Sequence, residues 1–410
     1  MYDFSARKAD ARVRLLDKNG NPIRELRVHL KQNSHKFLFG CGAFDTVTLM
    51  QGGLNAEENA FLTDRMDKWL KLFNYGTLPF YWARYQKEKD GPTLTPETLK
   101  AAKWLKERGA EVKGHPLCWH TSCANWLMEF SNEEILRRQI ERIHRDVGDF
   151  KGIIDMWDVI NEVVIMPVFD KYDNAITRIC RQYGRVSLVK EVLKAAKEAN
   201  PNATLLINDF NTSMAYEVLL DALLDAGVPI SVIGIQSHQH QGYWGKEKLC
   251  EVLERFSRFG LPIHFTENTL ISGDIMPAHI EDLNDWKVDS WPSTPEGEAR
   301  QAKEAAEMYS VLFSQPLVEA ITAWNFVDGG WLKAPAGVVH ADNTPKPVYN
   351  KLMELIRGEW MTDIEVMTDA DGRADFSGFK GGYTAKTDGG SASFELSGKE
   401  KNEISIEIGR

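Results

Sequence analysis

The sequence has few cysteines and no long apolar run. Its five cysteines, in a chain of 410 residues, are too few for a disulfide framework and lack the spacing of zinc ligands. No apolar stretch approaches the ~18 residues that a membrane-spanning helix needs, and the best candidate, residues 227–235, is far too short. The sequence therefore predicts a chain without structural disulfides, zinc sites or a membrane span.

The chain also has fewer basic than acidic residues. The 49 lysines and arginines are scattered and are outnumbered by 59 aspartates and glutamates, which gives a net charge of −10. This balance argues against a nucleic-acid partner and against an anionic membrane surface as partner. The first ten residues contain no apolar signal-peptide core, which indicates either a cytoplasmic chain or one whose leader was removed.

The composition is that of an ordinary globular protein, with 43% hydrophobic and 26% charged residues. A chain of this length can bury about three quarters of its unfolded surface, so it needs no disulfide or structural metal to fold. Its 12 tryptophans supply many flat apolar faces. Carbohydrate-active proteins use such faces, but large cores use them too.

Both ends of the chain show the alternation of apolar and polar residues that is typical of β-strands. The alternating runs are residues 12–16, 24–30, 364–367, 375–379, 391–396 and 403–408. The turns at 17–21 and 369–372 each separate two of these runs, which predicts a hairpin at each end. We therefore expect one small β-sandwich-like module, assembled from residues 1–34 and 358–410.

Between these ends, residues 35–357 alternate between strand and helix patterns. The predicted strands are residues 37–41, 73–78, 111–119, 154–161, 204–208, 231–238, 262–267 and 320–326. Strands separated by helices must pair in parallel, and eight such units predict a closed (β/α)8 barrel. A dinucleotide-binding sheet is rejected, because Gly40 and Gly42 in the first strand lack the third glycine of that motif.

Two carboxyl groups stand at the ends of the fourth and seventh predicted barrel strands, where the chemistry of such barrels lies. They belong to Glu162 and Glu267. Nearly opposite strands of a small barrel can hold two carboxyl groups about 5–5.5 Å apart, which is the spacing of a retaining glycosidase. Either glutamate alone could form only a loop-facing ion pair, but the pair with Asn161 beside it favours catalysis.

Other strand ends carry residues that can hydrogen-bond a sugar or wall it with a ring face. These candidates are His115, Trp119, Gln236, His238, Trp324 and Trp331. Tryptophans near a barrel mouth often belong to the core, so these residues alone do not indicate a sugar site. Their position beside the two glutamates is what favours sugar binding.

A metal-dependent hydrolase is the first alternative function. Its ligands would be His115, His120, Asp158, His238 and His240. Metal-dependent barrels generally place a histidine pair on the first strand. Here that strand ends in Gly-Cys-Gly, so we expect neither a metal ion nor a cofactor.

Six motifs occur in order along the barrel: GHPLCWH, WDVINE, LLINDFN, GIQSH, HFTEN and ITAWNF. Together they resemble family 10 of the glycoside hydrolases, the endo-β-1,4-xylanase family, over most of residues 35–357. The resemblance implies Glu162 as acid/base and Glu267 as nucleophile of a retaining reaction on xylan or decorated xylo-oligosaccharides. It places around the sugar Asn161, His115, Trp119, Gln236, His238, Trp324 and Trp331. It also implies a secreted or periplasmic enzyme with a glycan as its partner, and we expect a monomer.

The sequence departs from the family pattern after the second barrel strand. Where the family carries a Glu, an Asn and a Lys that grip the next sugar, this chain has Pro79, Phe80 and Ala83. We expect an apolar or aromatic surface, formed by Phe80, Tyr81 or Trp82, to replace that polar grip and to contact the substrate. The Asp that orients the active-site histidine in the family is Thr269 here.

These departures leave other substrates and one other function open. An altered subsite favours a short xylo-oligosaccharide, another β-glycan or an aryl glycoside as substrate, and it leaves endo and exo action undecided. A glycan-binding protein on a hydrolase scaffold is the second alternative, and it would bind sugars without releasing any product.

Overall fold

The computed structural model describes residues 2–398 and 402–408. The chain begins with a 3-10 helix, Ser5–Arg7, followed by two strands, β1 (Lys8–Leu16) and β2 (Arg27–His35). β2 ends just before the first strand of the barrel, so the N-terminal strands lead directly into the barrel from its N-terminal end.

Eight parallel strands form a closed barrel at the centre of the molecule. They are β3 (Leu38–Gly42), β4 (Tyr75–Pro79), β5 (Glu111–His115), β6 (Met156–Asn161), β7 (Thr204–Asp209), β8 (Val232–Gln239), β9 (Ile263–Leu270) and β10 (Val318–Ala323). β10 closes the barrel on β3. β9 is buried along its whole length, as expected for a strand that is covered on both faces. The predicted (β/α)8 barrel is thus confirmed.

Helices surround the barrel. They are α1 (Phe44–Gln51), α2 (Ala56–Leu72), α3 (Trp82–Tyr85), α4 (Thr95–Glu107), α5 (Asn132–Asp149), α6 (Ala175–Tyr183), α7 (Arg185–Ala199), α8 (Met214–Asp225), α9 (Gly245–Ser257), α10 (Pro295–Ser314) and α11 (Pro347–Glu354). Short 3-10 helices lie at Asn125–Glu129 and Leu283–Asp285, and a π-helix at Leu355–Glu359 follows α11. No helix of these described residues is both apolar enough and long enough to span a bilayer.

Local side chains fix where the helices begin. At α2, the Asn55 side chain accepts a hydrogen bond from the N–H of Glu58, and the Glu58 carboxylate accepts from the N–H of Asn55. This reciprocal capping box satisfies two backbone donors that have no partner within the helix. At α5, the hydroxyl of Ser131 accepts from the N–H of Glu134, as its position before the apolar run predicts.

The chain ends form two sheets that share one apolar core. The C-terminal strands are β11 (Asp363–Met367), β12 (Arg373–Phe379), β13 (Gly381–Thr387), β14 (Gly390–Leu396) and β15 (Asn402–Glu407). One sheet has the order β12-β1-β15, and the other has the order β11-β2-β13-β14. Val13, Leu30 and Tyr383 are among the side chains buried between them. Extra sheets built from both chain ends therefore accompany the barrel, as predicted.

The two predicted hairpins are wrong. β1 pairs with β12 and β15, while β2 pairs with β11 and β13, so β1 and β2 lie in different sheets. β11 and β12 are separated in the same way. Each turn carries the chain from one sheet to the other, and each N-terminal strand finds its partners at the other chain end. The sequence analysis also missed β13.

This two-sheet module contacts the barrel at the N-terminal ends of the strands. The guanidinium of Arg7 donates to the carbonyls of Phe313 and Val318, both at 2.6 Å, and also to that of Gln315. These carbonyls lie in the last turn of α10, in the short segment after it and at the first residue of β10. The ring of Phe313 packs on Trp360 at 4.5 Å between centroids. The C-terminal ends of the barrel strands, at the other end of the molecule, are left uncovered by the module.

Candidate active site

The polar residues at the C-terminal ends of the barrel strands come together in one cluster. Glu162 follows β6 directly and has a φ of 56°, in the left-handed region that few side-chain-bearing residues adopt. Its N–H donates to the carbonyl of Asn208 on β7 at 2.8 Å, and the N–H of Val164 donates to the Asp209 carboxylate at 3.0 Å. These bonds to the neighbouring strand hold the strained turn that aims the Glu162 side chain.

The carboxyl group of Glu162 is surrounded by three hydrogen-bond donors. Trp119 Nε1 lies 2.8 Å from Oε2, while Gln236 Nε2 and Asn161 Nδ2 lie 3.2 and 3.3 Å from Oε1. Burial and the negative charge of Glu267 outweigh these bonds and raise the pKa of Glu162 to about 8. The group is therefore protonated at neutral pH and can give up a proton.

Glu267, at 4% exposure, is held in the opposite charge state. Asn208 Nδ2 donates to its Oε1 at 2.8 Å, His238 Nε2 lies 3.1 Å from Oε2, and His115 Nε2 lies 3.8 Å from Oε1. Burial alone would raise the pKa of Glu267, but the two histidines outweigh burial and lower it below its ordinary value. The side chain is therefore a carboxylate at neutral pH.

Amide side chains connect the two glutamates. Asn161 Oδ1 accepts from Gln236 Nε2 at 3.0 Å and from Asn208 Nδ2 at 2.8 Å, and Asn208 also donates to Glu267. The sequence analysis did not single out Asn208, although its place at the end of a barrel strand was a usable signal. A glycine at 234 makes room for it, because a Cβ there would lie 2.5 Å from Asn208 Oδ1.

A fully buried ion pair lies behind the site. Asp158 Oδ2 is 2.6 Å from Lys113 Nζ and 2.7 Å from His115 Nδ1. Burial alone would raise the pKa of Asp158, but Lys113 and His115 lower it. Asp158 thus fixes the ring of His115 with Nε2 directed at Glu267. Within residues 2–398 and 402–408, no three histidine, cysteine, aspartate or glutamate side chains are arranged to hold a metal ion.

Two predicted tryptophans flank the histidines. The ring centroid of Trp324 is 5.2 Å from that of His115, and the centroid of Trp331 is 4.7 Å from that of His238. Trp331 also contacts His240 at 5.1 Å. These rings form the apolar side of the cluster, next to the carboxylate of Glu267.

Thr269 does not take over the role of the family's aspartate. Its hydroxyl is 3.2 Å from Nδ1 of His240, not of His238. In the described part of the chain, Nδ1 of His238 has no hydrogen-bond partner. The ring of His238 is therefore positioned by Glu267 and Trp331 rather than by a carboxylate behind it.

The prediction that Phe80 and Trp82 contact the substrate is wrong. Phe80 is completely buried, with Tyr85, Phe150 and Trp157 around its ring, and Trp82 is covered by Trp126 and by the guanidinium of Arg142. Two residues, Phe80 and Tyr81, lie between β4 and α3, and because Phe80 is buried in the core, Tyr81 is the one that faces the cluster.

Tyr81, the third aromatic residue of the predicted surface, lies at the edge of the cluster. Its ring centroid is 5.7 Å from those of both His115 and Trp119. Burial and the negative charge of Glu267 raise the pKa of its hydroxyl. Tyr81 thus occupies the side of the site where the family's polar grip is missing.

Comparisons with known proteins agree with this geometry. The model of glycosyl hydrolase family 10 matches residues 81–355, well over half of the chain. Endo-1,4-beta-xylanase B of Thermotoga neapolitana is 29% identical over 265 residues, which is 60% of this chain and 69% of that protein. Anti-sigma-I factor RsgI6 of Acetivibrio thermocellus is 24% identical over 92% of this chain, although the match spans only 44% of that factor.

Solved structures share the fold. Xylanase 10B from Thermotoga maritima superposes with a TM-score of 0.62 at 24% identity, covering 79% of this chain and 96% of that structure. A family 10 protein from Paenibacillus barcinonensis superposes with a TM-score of 0.63 at 21% identity, covering 78% and 95%. With the family match over residues 81–355, the motifs and the barrel, the chain belongs to glycosyl hydrolase family 10 and is a glycoside hydrolase.

Proposed function

We propose that this hydrolase cleaves β-1,4-xylosidic linkages in xylan or decorated xylo-oligosaccharides with retention of configuration. The xylan part of the proposal is supported by the xylanases among its relatives. The mechanistic part is supported by one observation above all: the pKa of Glu162 is raised to about 8 while that of Glu267 is lowered, within one hydrogen-bonded cluster. A double displacement needs this division into an acid and a nucleophile.

In the first step, the Glu267 carboxylate attacks the anomeric carbon. A carbon–oxygen bond forms to Glu267 as the glycosidic bond breaks, and the proton of Glu162 passes to the departing oxygen. The leaving sugar departs as an alcohol, and the glycosyl group remains as an ester on Glu267. The charge of Glu267 is thereby removed from the site.

Loss of that charge prepares the second step. The repulsion that raised the pKa of Glu162 is gone, so this group, now a carboxylate, can accept a proton from water. Water attacks the anomeric carbon, the ester bond to Glu267 breaks, and Glu162 regains its proton. Two displacements at the same carbon return the original configuration.

The amides position the reacting groups. Asn161 Oδ1 already accepts two bonds, from Gln236 and Asn208, which fixes its orientation and leaves Nδ2 on the side of Glu162. An amide donor held in this way can bind a sugar hydroxyl more tightly as charge develops on the ring, without reorganising. Trp324 and Trp331 supply the apolar wall.

Substitution of each glutamate tests the two roles. In Glu267→Ala, we expect turnover of xylan to be abolished. In Glu162→Ala, turnover of an activated aryl xyloside should be partly restored by azide, which can attack the glycosyl ester without a general base. Glu304→Gln, which changes a partly buried carboxyl group on α10, is the control and should act like the wild type. Wild-type rates on xylan in either alanine variant would contradict the assignment.

Tyr81 favours a second candidate, hydrolysis of an aryl glycoside or of another β-glycan. An aromatic ring beside His115 and Trp119 replaces the polar groups that would hydrogen-bond the next sugar. Flat or short substrates therefore lose less binding free energy at this subsite than long xylan does. A panel of plain and substituted xylans, β-glucans and aryl xylosides decides between the candidates. If every substrate binds and none yields product, both candidates are wrong and the protein binds glycans without cleaving them.

A further inference from the structure

The loop between β9 and α10 is long and has an apolar core of its own. Ile271, Met276 and Trp291 of this loop are buried together with Ala334 and Ala336, which belong to the loop after β10. Long loops with a packed core at the mouth of a barrel are commonly functional. We call residues 271–294 the β9 loop.

An ion pair ties the β9 loop to the loop that follows Glu162. Lys171 Nζ, in the segment between β6 and α6, lies 2.7 Å from a carboxylate oxygen of Asp282 and 2.7 Å from both carboxylate oxygens of Asp285. In the barrel, β7 and β8 lie between β6 and β9. The three charged side chains therefore bridge over the ends of two strands. We call Lys171, Asp282 and Asp285 the clasp.

The clasp is on the Glu162 side of the site. Phe169, two residues before Lys171, packs on His120 at 4.5 Å between ring centroids, and His120 follows the Trp119 that donates to Glu162. On the other side of Lys171, Tyr172 is 48% exposed. The ring of Tyr172 packs edge-on against Phe169 at 4.8 Å between centroids, so it continues the aromatic contacts that lead from His120 to the clasp.

We infer that the clasp closes the leaving-group side of the cleft and makes Lys171 a determinant of how long a leaving group the enzyme accepts. The inference rests on the proposed function, because Glu162 marks that side only if it protonates the leaving group. The half-exposed ring of Tyr172, which follows Lys171 in the chain, offers a face to one sugar or aryl unit. A longer chain has to displace the bridge.

The clasp is suited to being opened. Its side chains are partly exposed, at 39% for Lys171, 34% for Asp282 and 62% for Asp285. Exposed ion pairs are weak and are screened by salt. The enzyme thus accepts short leaving groups with the clasp closed, and it accepts polymeric xylan only to the extent that the bridge opens.

Two substrates separate these states: an aryl β-xylobioside, with a short leaving group, and long unsubstituted xylan. In Lys171→Ala, we expect the ratio of kcat/KM for xylan to kcat/KM for the aryl substrate to rise about threefold or more. Raising the salt concentration should increase this ratio in the wild type and leave it unchanged in Lys171→Ala.

Lys106→Ala is the matched control. Lys106 is 36% exposed, pairs with Glu111 at 3.2 Å and lies at the N-terminal end of the barrel, so its loss should not change the ratio. Thermal unfolding of both variants shows whether they are folded. An unchanged ratio in folded Lys171→Ala would overturn the inference while leaving the proposed function intact.

Binding in the Glu267→Ala background tests the clasp independently of turnover. Adding Lys171→Ala should tighten binding of xylohexaose and leave binding of xylobiose unchanged, as measured by calorimetry. No turnover of either substrate by the wild type would defeat the proposed function, whereas equal affinities with and without Lys171 would defeat the clasp.

Discussion

At the scale of single residues, the proposed chemistry depends on a difference between two identical side chains. Glu162 and Glu267 are both buried, and burial raises the pKa of a carboxyl group in each case. Their pKa values differ because the neighbouring groups carry charges of opposite sign. Glu267 faces His115 and His238, which favour its carboxylate, while Glu162 faces that carboxylate and neutral donors, and the charge of Asp209 adds to the repulsion. The charge on one glutamate thus keeps the proton on the other.

The first prediction concerns the pH dependence of kcat/KM. Activity should fall as pH rises through about 8, because Glu162 loses its proton, and should fall at acid pH, below the ordinary Glu pKa of 4.5, where Glu267 gains one. In Trp119→Phe, Glu162 loses a donor that favours its carboxylate, so the alkaline limb should move up by roughly one pH unit. Trp104→Phe, on α4, is the control. An alkaline limb that stays in place in Trp119→Phe would exclude Glu162 as the titrating acid.

How far the sequence could predict the site depended on the strand. Residues at or near the C-terminal end of a regular strand, such as Asn161, Gln236 and Glu267, are placed at the mouth by position alone, and in the structure they lie in the cluster at that end. Three consecutive aromatic residues after β4 offered no such rule. The turn into α3 buries Phe80 and Trp82 and presents Tyr81, and this choice depends on a backbone direction that the residue types do not encode.

At the scale of elements, the turns of the β-module were predictable and their strand partners were not. Asp17 accepts hydrogen bonds from the N–H groups of Asn19 and Asn21, and Asp369 accepts them from Asp371 and Arg373. These local bonds close each turn whatever follows it. The choice of partner is made between strands more than 300 residues apart, where alternation alone allows several pairings.

A pair of glycines in these turns carries the second prediction. Gly20 and Gly372 both have positive φ, 80° and 72°, but a Cβ on Gly20 would meet nothing within 4 Å, whereas one on Gly372 would lie 2.9 Å from the carbonyl oxygen of Leu15. Gly20→Ala should cost ~1–2 kcal/mol of unfolding free energy, the strain of the left-handed conformation. Gly372→Ala should cost clearly more, because backbone must also move. Urea unfolding followed in the module checks this, and equal losses would contradict it.

At the scale of the whole molecule, the module and the site occupy opposite ends of the barrel. The alternating pattern at both chain ends predicted the sheets, but it contained no information on which end of the barrel they cover. The position follows from β2, which ends where β3 begins, and from Arg7, which binds carbonyls at the end of α10 and at the start of β10. The module therefore stabilises the barrel at the N-terminal ends of its strands. Contacts with the sugar are made by the loops at the C-terminal ends.

The last prediction tests this division. Arg7→Ala leaves the carbonyls of Phe313, Gln315 and Val318 without their donor, and we expect a loss of roughly 3 kcal/mol or more in unfolding free energy. Arg7→Lys should recover little of it, because an ammonium group cannot reproduce the planar fork. Arg12→Ala, which removes an exposed pair with Asp375, should cost at most ~1 kcal/mol. Well below the melting temperature, kcat should be unchanged in all three variants, because the reacting groups lie at the far ends of the same strands. A fall in kcat that tracks the loss of stability would mean that the module also acts on the site, and the two ends of the barrel would have to be treated as coupled.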